Sequence, residues 1–288
     1  MRVWMLAAAA ALSVGAAQAQ TPRSIFTDPP ADAKPPAASE VLHIPSGGVQ
    51  INGLAYLAAG PGPHPTVVVA HGLPGNEKNL DLAQAIRRSG WNAVTFNYRG
   101  SWGSPGTFSF TGNLDDAKAV LAYLRDPANA ARLRVDPKRM VLMGHSMGGW
   151  VTSQVAASDE GLSGAALISA ADMGTRWKEP AERNVRVASQ NMESLAGVTA
   201  ESMAQQLSAL GPYTFEAAAA GLARRPLLVL TSDDGLAPMG EGLFLDVKRR
   251  GGRVKIVHVD TDHSWNTARI RLQTEIIGWL ATLPTSRP

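Results

Sequence analysis

Cysteine is absent from this chain of 288 residues. Its absence excludes disulfides, thiolate nucleophiles, cysteine-based zinc sites and iron–sulfur clusters. It also excludes a bacterial lipoprotein anchor, which requires a cysteine at the cleavage site. Net charge is small too, at +3 from 27 basic and 24 acidic residues, and no run of five like charges occurs. The charge pattern therefore predicts no nucleic-acid partner.

Long apolar runs are lacking beyond the N-terminus, so we expect no membrane span in the folded part. At the N-terminus, Arg2 precedes an apolar run over residues 3–14, which is shorter than the roughly 20 residues that a membrane span needs. An Ala-Gln-Ala cleavage site ends at Ala19. Residues 1–19 are predicted to be a cleaved signal peptide, with export to the periplasm or the medium. An uncleaved anchor helix is the alternative.

The rest of the composition is that of a globular protein, with 45% hydrophobic and 18% charged residues. Residues 20–39 are rich in proline and alanine and show no periodicity, so we expect a flexible leader there. Residues 40–288 then form the folded domain.

Strand and helix patterns alternate along this domain. An antiparallel hairpin is predicted over 40–59, with Gly47-Gly48 at its turn. Alternation of this kind predicts an α/β fold whose parallel sheet carries helices on both faces, with ligands bound beyond the carboxyl ends of the strands. The further strands are predicted at 66–72, 92–98, 140–146, 164–170, 226–232 and 253–259, and helices near 79–89, 114–125, 148–158, 238–250 and 266–282.

One segment interrupts the alternation. Residues 173–222 separate two strands by about 50 residues, which far exceeds an ordinary connection. The segment contains helical stretches and no strand-like run. We expect a small helical cap or lid over the ligand end of the sheet. The alternative is a set of ordinary helices on the face of the sheet.

The motif GHSMG places Ser146 between two glycines, in the GxSxG spacing. A serine on a sharp strand-to-helix turn needs glycines on both sides, where side chains would collide. A buried strand precedes this motif and a helical pattern follows it. Ser146 is therefore the predicted nucleophile, with a plain turn serine as the alternative.

A serine nucleophile needs a base, and histidine has the appropriate pKa. Of the six histidines, His263 alone follows both the nucleophile and the end of a strand. The order serine, acid, histidine along the chain then selects it. A structural loop histidine is the alternative.

The acid that orients the histidine should follow a strand between these two residues. Asp234 is the preferred candidate after the strand at 226–232, and Asp233 is assigned a turn-capping role. Asp172, after the preceding strand, is the outside candidate. Asp260 and Asp262 are expected to shape the loop of the histidine.

An oxyanion hole is predicted where HGLPG follows the first buried parallel strand. The backbone N–H groups of Leu73 and Met147 should converge there. A simple glycine–proline turn is the alternative. Trp102 and Phe108 either line an acyl pocket or pack under the cap.

Five motifs occur along the chain, in the order HGLPG, NYRGSWGSPG, GHSMGG, SDDGLAP and TDHSW. Together they resemble those of the α/β-hydrolase superfamily, over roughly residues 40–283. The NYRG-type loop is similar to that of the branch with serine esterases, dienelactone hydrolases and prolyl oligopeptidase-like hydrolases. The resemblance implies a mostly parallel sheet of eight strands and hydrolysis of an ester, or less often an amide. The oxyanion motif departs from the HGGG type of many lipases.

The sequence therefore predicts a secreted serine hydrolase that acts on a small-molecule carboxylic ester without a metal or organic cofactor. One rival is a small peptidase or aminopeptidase, in which Glu179 and Glu182 would hold the amine of the substrate. Another rival is a catalytically silent binding protein of the same fold. Substrate identity and oligomeric state are not determined by the sequence.

Overall fold

The computed structural model describes residues 20–284. The predicted signal peptide, residues 1–19, lies outside the described residues. Within the described part, no helix is both long and apolar enough to cross a membrane.

An eight-stranded sheet forms the centre of the described residues, in the order β1-β2-β4-β3-β5-β6-β7-β8. The β1–β2 and β2–β4 pairs are antiparallel, and the other neighbours are parallel. The predicted fold class is confirmed. The strands are β1 Ala38–Ser46, β2 Val49–Leu57, β3 His64–Ala70, β4 Asn92–Phe96, β5 Val135–His145, β6 Leu162–Ile168, β7 Leu227–Ser232 and β8 Val254–Val259.

Helices cover both faces of this sheet. Most lie where the periodicity predicts them, but α3 was not predicted, although Asp126 caps it and Pro127 opens it. Within residues 20–284 the α-helices are α1 Leu80–Arg88, α2 Phe110–Arg125, α3 Pro127–Leu133, α4 Met147–Ser158, α5 Ala181–Ser189, α6 Ala200–Ser208, α7 Phe215–Leu222, α8 Ala237–Arg249 and α9 Arg269–Leu280.

The alternation of side chains along the central strands builds two cores. On β3, Val68 belongs to the core that includes residues of α2, α4, α7 and α8, whereas Val67 and Val69 belong to the core that includes residues of α1 and α9. Strands with apolar side chains on both faces require helices on both faces, because water would otherwise meet one of them. Polar functional side chains are consequently expected in the loops at the strand ends.

The segment predicted as a flexible leader, 20–39, contains a short 3-10 helix at Arg23–Ile25. Ile25 is buried against α1 and α9, and the Arg88 side chain donates to the carbonyls of Ser24 and Ile25, each at 2.9 Å. Strand β1 begins at Ala38, inside the same segment. Part of it is therefore packed on the domain.

The insertion at 173–222 is helical, as predicted. A 3-10 helix at Met173–Lys178 leads into α5, α6 and α7, and α7 packs against α4 in the larger core. The connection between α5 and α6 reaches the loops at the strand ends, where Leu195 and Ser101 form an isolated antiparallel β-bridge. Through this connection the insertion borders the ligand end of the sheet.

A buried ion pair holds the NYRG-type loop in place. The Asp116 carboxylate is 0% exposed and accepts the Arg99 side chain at 2.6 Å. It also accepts the Arg99 backbone N–H at 2.9 Å and the Ser46 hydroxyl at 2.5 Å. The loop that follows β4 is thereby tied to α2 and to the end of β1.

Candidate active site

Ser146 occupies a strained turn between β5 and α4, with φ 58° and ψ −122°. Such a conformation costs about 1–3 kcal/mol for a non-glycine residue, which the surrounding structure must offset. Here the Ser146 N–H donates to Ile168 at 3.0 Å, and its carbonyl accepts the Ala171 N–H at 3.2 Å. The turn holds a half-buried serine at the carboxyl edge of the sheet.

The glycines of the GHSMG motif are required by close backbone packing. A Cβ at Gly144 would collide with the carbonyl of Gly148, and one at Gly148 would collide with the carbonyl of Ala70. The start of α4 consequently lies directly against the ends of β5 and β3. The spacing of the motif has the steric origin that the sequence suggests.

His263 and Asp234 are joined by a hydrogen bond of 2.7 Å from Nδ1 to Oδ2. The Asp234 side chain is 3% exposed, and its Oδ1 accepts the Leu236 N–H at 2.8 Å. Burial alone would raise the pKa of Asp234, but hydrogen bonds from His263, Leu236 and Ser232 hold it below its ordinary value. The carboxylate is thus ionised at neutral pH, and His263 carries its proton on Nδ1.

The other acidic candidates have different partners. Asp233 is exposed and accepts His258 Nε2 at 3.0 Å. Asp172 accepts the backbone N–H groups of Gly174 at 3.1 Å and Phe215 at 3.0 Å, so it organises the start of the insertion. Asp262 caps the turn at Asn266 within the histidine loop.

His145, at the variable position of GHSMG, supports His263. Its Nε2 lies 2.8 Å from the His263 carbonyl, and the two rings are 4.6 Å apart. Since a carbonyl only accepts, Nε2 carries the proton. Burial, reinforced by the neighbouring His263, lowers the pKa of His145 to about 4. A neutral imidazole therefore stabilises the loop of His263 through this hydrogen bond.

The predicted oxyanion donors flank the serine. Gly72 packs so closely that an added Cβ would lie 2.9 Å from Ser146 Cβ and 3.4 Å from its Oγ. Leu73 follows directly, and Met147 opens α4, where the first amides have no helical acceptor. Within residues 20–284, the Leu73 N–H makes no hydrogen bond. Both amides are thus available beside Ser146.

Two side chains form hydrogen bonds within the oxyanion loop, residues 71–75. His71 Nδ1 donates to the Gly72 carbonyl at 2.8 Å, and the Tyr98 hydroxyl donates to the His71 carbonyl at 3.2 Å. Burial lowers the pKa of His71 to about 4, so the ring is neutral and keeps this arrangement at physiological pH.

The oxyanion loop is also tied to its neighbours. Trp102 Nε1 donates to the Pro74 carbonyl at 2.6 Å, and the Ser194 hydroxyl reaches the same oxygen at 3.3 Å. Lys78 lies 4.3 Å over the Trp102 ring. Trp102, which the sequence leaves between lining an acyl pocket and packing under the cap, thus contacts the oxyanion loop through its indole N–H.

A cleft of about 150 Å³ opens at these loops. Phe108 is outside it, 1% exposed in the larger core and packed against Phe110. Glu179 and Glu182 are outside it too, and Glu179 instead pairs with Arg183 at 2.7 Å. The residues that line the cleft are Gly72, Leu73, Pro74, Gly75, Asn76, Glu77, His145, Ser146, His263 and Ser264.

The arrangement suits nucleophilic attack by a serine. Ser146 and His263 share the cleft, and Asp234 supports the far side of the imidazole. Among the described residues, Ser146 Oγ and His263 Nε2 are not hydrogen-bonded to each other. Such bonds are often long without substrate and shorten when it binds.

A sequence model of the Alpha/beta hydrolase family matches residues 67–271. The chain belongs to this family. The match spans Leu73 and the candidate triad residues Ser146, Asp234 and His263. The resemblance that the five motifs suggest is thereby confirmed.

Individual relatives match shorter parts of this hydrolase. The uncharacterized protein YfhR of Salmonella typhimurium is 39% identical over 85 residues, 29% of this chain and 27% of that protein. The quorum-quenching protein AidA of Acinetobacter baumannii is 35% identical over 111 residues, 36% of this chain and 34% of that protein. The hydrolase thus aligns with about a third or less of either relative.

A solved structure resembles the hydrolase over most of its length. The hyperthermophilic esterase of the archaeon Pyrobaculum calidifontis superposes with a TM-score of 0.64 at 22% identity. The alignment covers 85% of this chain and 86% of the esterase. At this level of identity the likeness establishes the fold.

Two supporting residues could not be identified from the sequence. His145 occupies the variable position of its motif, and nothing in the spacing signals its contact with His263. Arg269 donates to the Ser264 carbonyl and to Asn79, each at 3.0 Å, and thereby ties the histidine loop to the loop before α1. A cation in the first turn of a helix is disfavoured by the helix dipole, and this is the one signal that the sequence offers for it.

Proposed function

We propose that this hydrolase is a carboxylic-ester hydrolase that works through an acyl-enzyme on Ser146. The observation that chiefly supports this proposal is the hydrogen bond of 2.7 Å from His263 to Asp234, beside the strained turn of Ser146. It leaves Nε2 of His263 unprotonated, as a general base requires. The family and the esterase of the same fold support this assignment.

In the proposed reaction Ser146 Oγ attacks the ester carbonyl while its proton passes to Nε2 of His263. Asp234 stabilises the imidazolium, and the N–H groups of Leu73 and Met147 receive the oxyanion. His263 then returns the proton to the alcohol as the ester C–O bond breaks. Water attacks the acyl-enzyme with His263 as base, and Ser146 is regenerated. The scheme uses no metal or organic cofactor.

The cleft favours a small acyl group. Its volume of about 150 Å³ is below the roughly 300–1,000 Å³ of sites that enclose drug-sized ligands. Leu73 and Pro74 supply the apolar part of its wall. We therefore expect acetate and butyrate esters to be hydrolysed with a higher kcat/KM than octanoate esters.

Export is part of the proposal and is supported by the signal-peptide pattern of residues 1–19. When the full chain is produced in a bacterium, the exported protein should begin at Gln20. N-terminal sequencing of the periplasmic fraction tests this. A mature chain that retains Met1 would contradict the cleavage.

The function is tested with p-nitrophenyl esters of increasing chain length and a fluorophosphonate probe on the purified protein. Wild type should hydrolyse the short esters and become labelled, whereas Ser146→Ala should do neither. Ser264→Ala removes a hydroxyl from the same cleft and should keep both activities. Labelling that persists in Ser146→Ala would refute the nucleophile. Faster turnover of aminoacyl p-nitroanilides than of any ester would show a peptidase instead.

A further inference from the structure

Three buried polar side chains form a line behind Asp234. Trp265, Ser169 and Ser232 are 0%, 1% and 0% exposed. Trp265 Nε1 lies 2.9 Å from Ser169 Oγ, and the two serine hydroxyls are 2.7 Å apart. Ser232 precedes Asp234 by two residues, and its hydroxyl is among the groups that lower the pKa of Asp234. None of the three lines the cleft, so they cannot contact substrate there.

The direction of these hydrogen bonds follows from the chemistry of their ends. An indole N–H only donates, so Ser169 accepts from Trp265 and keeps its own proton for Ser232. An ionised carboxylate only accepts, so Ser232 gives its proton to Asp234. Every link therefore points toward the carboxylate. Hydrogen bonds aligned in this way strengthen one another in a buried environment.

The line joins three separate strand ends. Ser169 follows β6, Ser232 ends β7, and Trp265 lies two residues after His263 in the loop that follows β8. Ser169 and Trp265 both have positive φ, at 43° and 61°. Backbone strain of this kind persists where the surrounding structure enforces it, often at functional sites. The same hydrogen bonds consequently link the loop of the histidine with that of its acid.

We propose that Trp265, Ser169 and Ser232 are positioning residues that hold the Asp234 carboxylate in the orientation that receives Nδ1–H of His263. This rests on the proposed function of the triad. Without Ser232, the hydrogen bonds to the carboxylate within residues 20–284 are those from His263 and from the Leu236 N–H at 2.8 Å. It could then rotate away from the imidazole, and the base would lose its tautomer and its direction.

Loss of these donors also has an electrostatic signature. A carboxylate that has turned away from His263 stabilises the protonated imidazole less. The acid limb of kcat/KM should therefore move to lower pH. The other ionisable groups near the pair include His145 before Ser146, Glu77 in the cleft and Arg269 on α9. Asp233 and Asp262 adjoin the pair in the chain. The substitutions below remove no hydrogen bond of these five side chains.

The variants Ser232→Ala, Ser169→Ala and Trp265→Phe each interrupt one link. Trp150→Phe is the matched control, because Trp150 is equally buried and its Nε1 donates outside the line, to the Tyr213 carbonyl at 2.6 Å. Three measurements are made on each folded protein. They are kcat and KM for p-nitrophenyl acetate, the pH profile of kcat/KM, and the downfield proton resonance of His263 Nδ1–H, assigned by its loss in Asp234→Asn.

We expect kcat to fall by about ten- to hundredfold in Ser232→Ala, with KM within about twofold of wild type. The losses should diminish along the line, from Ser169→Ala to Trp265→Phe. The acid limb and the resonance should shift in the same order, and both should stay in place in Trp150→Phe. A lower stability in all four variants with an unmoved limb and resonance would overturn the proposal.

The resonance separates this proposal from the function on which it rests. If wild type hydrolyses no ester and Ser146 is not labelled, the function fails, whatever the resonance shows. If wild type is active but the resonance does not respond to Ser232→Ala, the positioning role fails while the triad stands.

Discussion

Acid should destabilise this protein through two buried histidines. Burial lowers the pKa of His71 to about 4, and burial with the nearby His263 lowers that of His145 to about 4, from an ordinary 6.5. The unfolded chain therefore binds more protons between pH 6.5 and 4, so the free energy of unfolding falls as the pH falls through this window. The total loss in the free energy of unfolding is about 3 kcal/mol for each histidine. Below about pH 4 these two groups cause no further loss.

Urea denaturation at pH values from 7.5 to 4.5 measures this loss. His71→Asn keeps a donor near Nδ1, and His145→Gln keeps one near Nε2, but neither side chain titrates. Each variant should lose about 2–3 kcal/mol less than wild type between pH 6.5 and 4.5. His43→Gln, on an exposed position of β1, is the control and should follow wild type. Equal losses in all four proteins would refute the reasoning.

Three further predictions concern the site and the insertion. Asp234→Asn should lower kcat by a factor on the order of 10³–10⁴ because the imidazole loses its tautomer. Asp233→Asn, at an exposed neighbouring residue, should keep a kcat near that of wild type in the same ester assay. A large loss in Asp233→Asn with a small one in Asp234→Asn would show that Asp234 is not the acid. Gly72→Ala should lower kcat roughly 10²-fold, since its Cβ would press on Ser146 and displace the oxyanion donors. Unchanged kinetics in this variant would show that the loop of Gly72 takes no part in the reaction. Met203→Ala, at a fully buried position of α6, should cost about 2–5 kcal/mol in urea denaturation. A changed ester preference with unchanged stability would instead place Met203 against substrate.

The tertiary structure assigned the roles that depend on distant contacts. His145 and His263 are 118 residues apart in the chain and yet share a hydrogen bond. Trp102 is one of two aromatic residues that the sequence left between two roles, and only the fold shows that its indole ties down the oxyanion loop. Residue type limits what a side chain can donate or accept, but it carries no information about which partner the fold brings near.

The sequence by itself determined the sheet, most of its helices and the order of the candidate catalytic residues along the chain. Continuous β-branched runs such as that of β3 can be satisfied only by burial on both faces, so local pattern specifies an α/β sheet. Ser146 and His263 follow from the same logic, because glycine spacing and position after a strand are local properties. The course of the insertion beside the cleft, the neutral state of His145 and the line from Trp265 to Asp234 were decided by packing between separate strand ends. They arise only when the chain is folded, since burial and hydrogen-bond geometry exist only in three dimensions.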